Sequence, residues 1–513
     1  MATNDLYESP AVCLPTQDEL TKLSDELNLK CTTEELEAIT GHFKGTAKAL
    51  QRISQLPEPA LPVKYPRTPG YRPAREDNPY NAWAWKCDIQ GAKEGKLAGK
   101  TVGIKDNIGV AGVPMMNGSK LLESYTPEFD ATLVTRILDA GGRIVGKAAC
   151  EDLCFSGCSS TCSSGPVRNP YDETRSVGGS SSGSAALVAG KVIDLAVGGD
   201  QGGSIRIPAC WAGIVGLKPT YGLVPYTGAM PIEITVDHLG PMARTVHDCA
   251  LLLEVMAGYD DGRDPRQPRD IKVEPYSSLI DAGIKGKKIG LVKEGFSVCT
   301  EEDVKEMVRA AAKSLEKAGA IVSDTSVPAH LDGNAIWSGT CLQGAYNNMI
   351  AGNGNGYHWK GHYITSLQES FYRSRKARPF DMSTACKLTT LIGEYMNRNY
   401  SNKFYAKSQN LTRWLTDEYN KALEEFDVLI MPTLPYKARK LPKADCSTAE
   451  LIEISDSMSA NTAPFDCTGH PALSIDTGNS DTAPIGMMII GKYFNEVTVL
   501  QIARAFEKIR EDE

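Results

Sequence analysis

Two serines that each follow a pair of glycines are the residues of this sequence best suited to covalent chemistry. Ser180 follows Gly178-Gly179, Ser204 follows Gly202-Gly203, and both lie in one Gly- and Ser-rich stretch from Gly178 to Arg206. A serine hydroxyl is a weak nucleophile near neutral pH and needs an adjacent base. The stretch therefore predicts a site where one serine attacks a substrate with the help of further groups.

Two apolar runs separate these serines, Ala185–Ala189 and Ile193–Val197. Such runs need burial, which a flexible Gly/Ser connector does not provide. They predict a helix and a strand that bring Ser180 and Ser204 together.

Lys105 is the candidate base. It follows the apolar strand-like run Thr101–Ile104 and precedes Asp106 and Asn107. Most lysines are solvated, so Lys105 indicates catalysis only in combination with the two serines. A lysine accepts a proton only when it is neutral, so we expect it to be buried, where its charged form is disfavoured.

A second interpretation of the same stretch is a nucleophile elbow centred on Ser181. Gly179–Gly183 satisfies the G-x-S-x-G pattern, and His470 would be the histidine that such a site requires. However, no HGGG-type oxyanion motif precedes it, and the second glycine-serine cluster would have no purpose. We therefore expect Ser181 to be a framework residue, and His238, His247 and His470 to be structural.

Four cysteines recur at every fourth position, Cys150, Cys154, Cys158 and Cys162. A metal site is one interpretation, but the spacing is not that of zinc knuckles, and Gly157 and Ser159-Ser160 interrupt a helix. Small buried side chains are the favoured interpretation. We expect no metal and no cofactor.

Composition excludes several classes of protein. A net charge of −8 over 513 residues does not favour nucleic-acid binding, which calls for a basic face. No span of about 18 uninterrupted apolar residues is present, so we expect no membrane partner. The fourteen cysteines without an export signal predict free thiols in the cytoplasm.

The elements that must position these residues form three predicted regions. Residues 1–56 carry two amphipathic helices, 16–29 and 32–55, each with a capping box, and are predicted to be an accessory or dimerisation region. Residues 57–79 form a proline-rich linker. Residues 80–513 alternate strands with helices, which predicts an α/β fold with a central mixed or parallel sheet covered by helices on both faces.

Three sequence segments together resemble the amidase signature family: GIKDN at 103–107, GGSSSGSAALVAG at 178–190 and GGDQGGSIR at 198–206. The resemblance runs from about Pro79 to the C-terminus. The helical extension, the entry segment Asn78–Trp83 and the segment Asn461–Pro471 are most similar to nitrile-pathway bacterial amidases. That likeness implies a homodimer formed through the N-terminal helices.

The resemblance implies roles for individual residues. The triad falls on Lys105, Ser180 and Ser204, with Ser204 as the nucleophile and Ser180, in a cis peptide, as the proton relay. The oxyanion hole falls on Gln201, Gly202, Gly203 and Ser204. Phe155 and Ser180 fall at the substrate. Asp106, Asp200 and Arg206 are predicted to be structural supports, Asp106 for Lys105 or its strand end and the other two as an ion pair.

The same resemblance implies the reaction. It is the hydrolysis of small aliphatic or aromatic carboxamides to a carboxylic acid and ammonia or an amine, through an acyl-enzyme. The alternative is the glutamine-hydrolysing subunit of a tRNA-dependent amidotransferase, which carries the same triad without the long N-terminal extension.

Overall fold

The computed structural model describes residues 11–443, 445–478 and 483–512. It divides into two compact units, Met1–Leu61 and Pro62–Glu513. In the first unit, helices α1 (Gln17–Glu26) and α2 (Thr33–Gln55) begin at the predicted capping boxes, where Thr16 pairs with Glu19 and Thr32 with Glu35. Each box satisfies backbone N–H groups that a helix start leaves unpaired, which fixes where the helix begins.

The proline-rich segment after Leu61 is anchored to the second unit. The hydroxyl of Tyr65 and the amine of Lys64 both donate to the carboxylate of Asp139, at 2.8 and 2.6 Å. Further along, Tyr71 forms an isolated bridge with Lys86. These contacts hold the segment against the body that carries the sheet.

The described part of the second unit is built on an eleven-stranded sheet. Its strands are β1 (Trp83–Gln90), β2 (Thr101–Lys105), β3 (Arg143–Ala148), β4 (Leu195–Asp200), β5 (Val215–Lys218), β6 (His238–Ala243), β7 (Lys288–Val292), β8 (Ile321–Thr325), β9 (Val428–Pro432), β10 (Ala472–Asp476) and β11 (Gly486–Gly491). They lie in the order β1-β3-β2-β4-β6-β5-β10-β11-β9-β7-β8. Parallel pairs at β3-β2-β4 and β9-β7-β8 flank antiparallel pairs, so the predicted mixed sheet is confirmed.

Helices surround this sheet. They are α3 (Thr132–Asp139), α4 (Ser182–Ala189), α5 (Arg206–Ala212), α6 (Val246–Met256), α7 (Tyr276–Leu279), α8 (Lys293–Ser297), α9 (Glu302–Ser314), α10 (His330–Ala345), α11 (Thr365–Ala377), α12 (Thr384–Tyr400), α13 (Lys403–Glu425), α14 (Thr448–Asp456), α15 (Ala463–Thr468) and α16 (Glu496–Asp512). In β4, Leu195 and Val197 pack in one buried cluster with residues of α3, α6 and α16, whereas Ala196 packs in another with residues of α4 and α5. Because successive strand residues point to opposite faces, helices cover both faces, as predicted.

One predicted helix is wrong in its extent. The apolar spacing from Leu388 to Phe426 predicted a single helix, but α12 ends at Tyr400 and α13 begins at Lys403. Ser401 between them has a φ of 56°, a left-handed conformation that a right-handed helix cannot contain. Periodicity alone did not reveal this break, because both helices keep apolar residues at helical spacing.

Within the described ranges, no helix combines the length and the apolar character that crossing a bilayer requires.

Candidate active site

Lys105 lies at the carboxyl end of β2 and is completely buried. Its Nζ lies 2.8 Å from Ser180 Oγ and donates a hydrogen bond to the carbonyl of Gly199 at 3.1 Å. Gly199 belongs to β4, which runs parallel to β2. Neighbouring parallel strands end at the same edge of a sheet, so the fold itself brings the Lys105 amine to the loop that follows β4.

Ser180 stands directly before α4 and is also completely buried. The Gly179–Ser180 peptide is cis, as the resemblance implied. The backbone N–H of Glu151 donates to the Ser180 carbonyl at 3.3 Å, and that of Gly183 donates to the Ala149 carbonyl at 2.8 Å. The residues after β3 thereby hold the Ser180 turn beside the end of β2.

Ser204 follows β4 in the turn that leads into α5, and it lines a cavity. The backbone N–H of Ser181 donates to the Ser204 carbonyl at 3.3 Å, which joins the two glycine-serine turns. Among the described residues, Lys105 and Ser180 are directly hydrogen-bonded, whereas no hydrogen bond links the Ser180 and Ser204 hydroxyls. The predicted triad residues therefore meet at one sheet edge, with the serine hydroxyls unbonded to each other in this conformation.

Side chains from two distant helices hold the loop of Gln201, Gly202 and Gly203. Trp337 Nε1 of α10 donates to the Gln201 carbonyl at 2.6 Å, and Thr462 Oγ1 donates to the Gly202 carbonyl at 2.6 Å. In a planar trans peptide the next N–H points opposite to the carbonyl. These two bonds therefore fix the directions of the Gly202 and Gly203 N–H groups.

The Gly203 N–H group is already engaged, since it donates to Asp200 Oδ1 at 2.6 Å. The N–H groups of Gln201, Gly202 and Ser204 have no hydrogen-bond partner in the part of the chain that the structure describes. Gly203 has a φ of +133°, and a Cβ there would lie 2.4 Å from Thr462 Oγ1. Of the four predicted oxyanion residues, Gly203 thus serves the shape of the loop, and the other three present N–H groups without a partner.

Asp200 and Arg206 form the predicted ion pair beneath this loop. Arg206 Nη2 lies 2.9 Å from Asp200 Oδ1, and both side chains are fully buried. Burial opposes the charge on Asp200, but Arg206 outweighs it and holds the pKa of that carboxyl well below its usual range. Asp200 Oδ2 also accepts from the Ile205 N–H at 3.0 Å. The charged pair thereby anchors the backbone on both sides of Ser204.

Asp466 of α15 completes this cluster and was not predicted from the sequence. Its Oδ2 lies 2.7 Å from Arg206 Nη2. Burial and the nearby Asp200 carboxylate raise the pKa of Asp466 well above its usual value. One arginine therefore stands between two carboxyl groups, of which Asp200 keeps the charge.

Replacing Asp200 by asparagine is expected to destabilise the fold and to lower kcat. The change leaves the Arg206 charge without its main partner, and breaking a buried ion pair costs about 3–5 kcal/mol. Asp194→Asn is the matched control, because Asp194 lies just before β4 and faces Arg244 at 3.5 Å with a third of its side chain exposed. Urea unfolding and kcat should separate the two variants; equal behaviour would contradict the anchoring role.

Asp106 supports its strand end rather than the Lys105 amine. Asp106 Oδ1 pairs with Lys147 Nζ at 3.2 Å, and its backbone N–H donates to the Ala148 carbonyl at 3.0 Å. Both side chains of the pair are buried. The sequence left open whether Asp106 orients Lys105 or the end of β2, and its contacts favour the second role.

The cavity beside Ser204 has a volume of about 140 Å³. Phe155 lies in its wall, as predicted, beside Gln201 and Gly202 of the loop. The apolar part of the wall comes from Ile207, Ile232, Trp337, Leu388, Ile452 and Met458. No lining residue in the described ranges carries a charge. The cavity is thus suited to a small neutral group.

Ser181 and His470 do not form a catalytic pair. Ser181 Oγ donates to the Gly199 carbonyl at 3.1 Å and accepts from the Gly199 N–H at 3.2 Å. His470 Nε2 lies 3.1 Å from Asn420 Oδ1, and burial lowers the pKa of its ring to about 3. Ser181 therefore has the framework position that the sequence favoured, and the nucleophile-elbow interpretation loses its histidine.

The four cysteines of the regular run are buried free thiols. They lie on loops and a short 3₁₀ turn, Asp152–Cys154, and not on a helical stripe. Cys154 lines the cavity beside Ser204.

Comparison with known proteins gives this fold and site a family. The family model described as Amidase matches residues 77–500. An enantioselective amidase of Rhodococcus rhodochrous is 44% identical over 501 residues, which cover 96% of this chain and 95% of the relative. A subunit of the glutamyl-tRNA(Gln) amidotransferase of Methanosarcina mazei is 37% identical over 83% of this chain and 87% of its own length.

A solved bacterial aryl acylamidase of the amidase signature family superposes with a TM-score of 0.68 at 26% identity, covering 81% of this chain and 83% of that one. The chain belongs to the amidase family. Within that family it is a hydrolase that acts on amides, an amidase.

Proposed function

We propose that this amidase hydrolyses small, neutral aliphatic or aromatic carboxamides through Lys105, Ser180 and Ser204. The uncharged, apolar cavity beside Ser204 is the observation that carries the proposal. A substrate whose acyl group enters this cavity presents its carbonyl carbon to the Ser204 hydroxyl. Holding the reacting atoms in this geometry supplies a large part of the rate enhancement of such enzymes.

Lys105 is the base of this scheme. It is completely buried, and no carboxylate in the described ranges pairs with it. A buried amine without a counter-charge favours its neutral form, which can accept a proton. In the first step, Ser204 Oγ attacks the carbonyl carbon, and the Ser204 proton passes through the Ser180 hydroxyl to Lys105 Nζ, 2.8 Å from Ser180 Oγ.

The tetrahedral intermediate places a negative charge on the former carbonyl oxygen. The unpartnered N–H groups of Gln201, Gly202 and Ser204 are the proposed donors to it. Such donors, held in place before the reaction, stabilise the developing charge, and each is worth about 3 kcal/mol. Trp337 and Thr462 contribute indirectly, because they hold the carbonyls of this loop.

Collapse of this intermediate breaks the C–N bond. Lys105 returns its proton through Ser180 to the leaving nitrogen, and ammonia or an amine departs. Water then attacks the acyl-enzyme by the same relay and releases the carboxylic acid. The scheme leaves Lys105, Ser180 and Ser204 in their starting protonation states.

The wall of the cavity argues against the amidotransferase alternative. Glutamine carries an ammonium and a carboxylate, and burying either without a charged partner is costly. The R. rhodochrous amidase also aligns with 96% of this chain, whereas the M. mazei relative aligns with 83%. Both observations favour an amidase that acts alone on uncharged amides.

A substrate series tests this function. The purified full chain is expected to hydrolyse benzamide and propionamide without partner subunits or tRNA, and to hydrolyse glutamine with a kcat/KM lower by about 100-fold or more. Phe155→Ala should raise the KM for benzamide by roughly tenfold and change propionamide little, because it removes apolar wall. Efficient glutaminase activity would contradict the proposal.

Two further features belong to this proposal. The first unit leaves Leu23, Leu27, Ile39 and Ile53 between 47% and 66% exposed, which supports a homodimer formed through these helices. All fourteen cysteines are free thiols, which supports a cytoplasmic location, where thiols stay reduced. Nucleic acid and membranes are not among the proposed partners.

A further inference from the structure

The Cys154 thiol lies next to the triad, and the triad chemistry does not use it. Its side chain lines the same cavity as Phe155 and Ser204, and only 6% of the residue is exposed. It lies within hydrogen-bonding range of Lys105 and Ser180. Any small molecule that enters the amide cavity therefore meets this sulfur.

A second thiol, Cys150, lies beside Cys154. The sulfurs of Cys150 and Cys154 both donate to Asn117 Oδ1, at 3.5 and 3.2 Å. Cys150 is completely buried and does not line the cavity. The pair thus consists of one thiol that meets the cavity and one that lies behind it.

The surroundings make the two thiols chemically unequal. Burial opposes ionisation of Cys154, but a hydrogen bond from Cys150 and the charge of Lys105 outweigh it and lower the pKa of the Cys154 thiol. Burial and the neighbouring Cys154 raise the pKa of the Cys150 thiol well above its usual value. Since the thiolate is the reactive form, Cys154 is the sulfur that reacts first.

We propose that Cys154 and Cys150 form an oxidation site at which a small hydroperoxide, entering through the amide cavity, is reduced and the enzyme is reversibly inactivated.

The chemistry proceeds in two balanced steps. The Cys154 thiolate attacks one peroxide oxygen, so that an S–O bond forms, the O–O bond breaks, and the alcohol or water leaves with a proton. The Cys150 thiolate then attacks the Cys154 sulfur, so that the S–S bond forms and the S–O bond breaks. The departing hydroxide takes up the Cys150 proton as water. Overall, two thiols and one hydroperoxide give a disulfide, an alcohol or water, and water.

Loss of activity follows from the position of Cys154. A disulfide to Cys150 draws the Cys154 sulfur away from Lys105 and Ser180 and changes the cavity wall beside Phe155. This consequence rests on the proposed role of Lys105 and Ser180. Formation of the disulfide does not.

The test treats the full chain with hydrogen peroxide and follows amidase activity and thiol connectivity in the same samples. Trypsin and a protease that cuts after glutamate separate Cys150 from Cys154 at Glu151, so a disulfide keeps the fragments 148–151 and 152–168 linked. We expect the linked pair to accumulate in step with inactivation, and a thiol reductant to reverse both. Tandem fragmentation of the linked pair should place the bond on Cys154.

Variants sharpen this result. Cys154→Ser should slow inactivation roughly tenfold or more and abolish the linked pair. Cys158→Ser, which removes another buried thiol of the same fragment, should leave both unchanged. Inactivation without the linked pair, a bond from Cys150 to Cys158 or Cys162, or a linked pair in fully active enzyme would each overturn the proposal. The wild-type fragment map decides the outcome even if Cys154→Ser fails to fold.

Discussion

Ser204→Ala is expected to lower kcat for benzamide by about 10⁴-fold or more, with the fold intact. The change removes the atom that forms the acyl-enzyme, and enzymes with a serine nucleophile lose several orders of magnitude when it is deleted. The fold should persist because no hydrogen bond from the Ser204 hydroxyl to another described residue is lost. Steady-state kinetics and thermal unfolding, measured on the same preparation, check both parts.

Ser181→Ala is the matched control for this variant. Ser181 is the centre of the G-x-S-x-G pattern, but its hydroxyl is bonded to the backbone of Gly199. We expect this variant to keep kcat within about tenfold of the wild type and to lose some stability, about 1 kcal/mol per hydrogen bond. If Ser181→Ala abolished turnover while Ser204→Ala did not, the nucleophile would be misassigned.

Lys105→Met should lower kcat by about 10²–10⁴-fold, the range that a general base contributes. Methionine is close to lysine in length and shape, and Lys105 has no carboxylate partner in the described ranges, so the change leaves no buried anion unpaired. Added primary amines should restore part of the activity if a cavity remains beside Ser180. The pre-steady-state rate of acylation is the measurement that isolates this step.

Lys147→Met provides the contrast, since Lys147 is a second buried lysine on the neighbouring strand. It pairs with Asp106 at 3.2 Å, and removing it leaves a buried carboxylate without its partner, at a cost of about 3–5 kcal/mol. We therefore expect Lys147→Met to lose stability and Lys105→Met to lose turnover. The reverse pattern would contradict the assignment of Lys105 as the base.

The sequence predicted the parts of the site that lie close together in the chain. Ser180, Ser204 and the Asp200–Arg206 pair belong to one stretch, where glycine pairs and apolar runs stand side by side. Lys105 was identifiable because it ends an apolar strand. Its meeting with Ser180 depends on the parallel pairing of β2 with β4, which follows from the βαβ pattern.

The contributions from distant helices could not be predicted in the same way. Trp337 lies in a helix that carries no motif, and its bond to the Gln201 carbonyl depends on how α10 packs over the loop. Thr462 and Asp466 lie in the Asn461–Pro471 segment that contributed to the family resemblance, but nothing in their spacing indicates contact with Gly202 or Arg206. Tertiary packing decides such contacts, and local periodicity does not record it.

Some strands also escaped prediction for local reasons. β6 contains Gly240 and Pro241, residues that are depleted in strands. β5 has only four residues, too few for a clear alternation of polar and apolar side chains. Both are central strands of the sheet, where pairing on both sides compensates for weak intrinsic propensity.

The most direct measurement of the central claim is to trap the acyl-enzyme and locate it. An amide substrate is mixed with the enzyme, quenched in acid within the first turnover and digested with trypsin, which separates Ser180 on fragment 176–191 from Ser204 on fragment 192–206. We predict that the mass of the acyl group appears on fragment 192–206, at Ser204, and disappears as turnover is completed. An acyl group on fragment 176–191, or on the fragment that carries Cys154, would contradict the account.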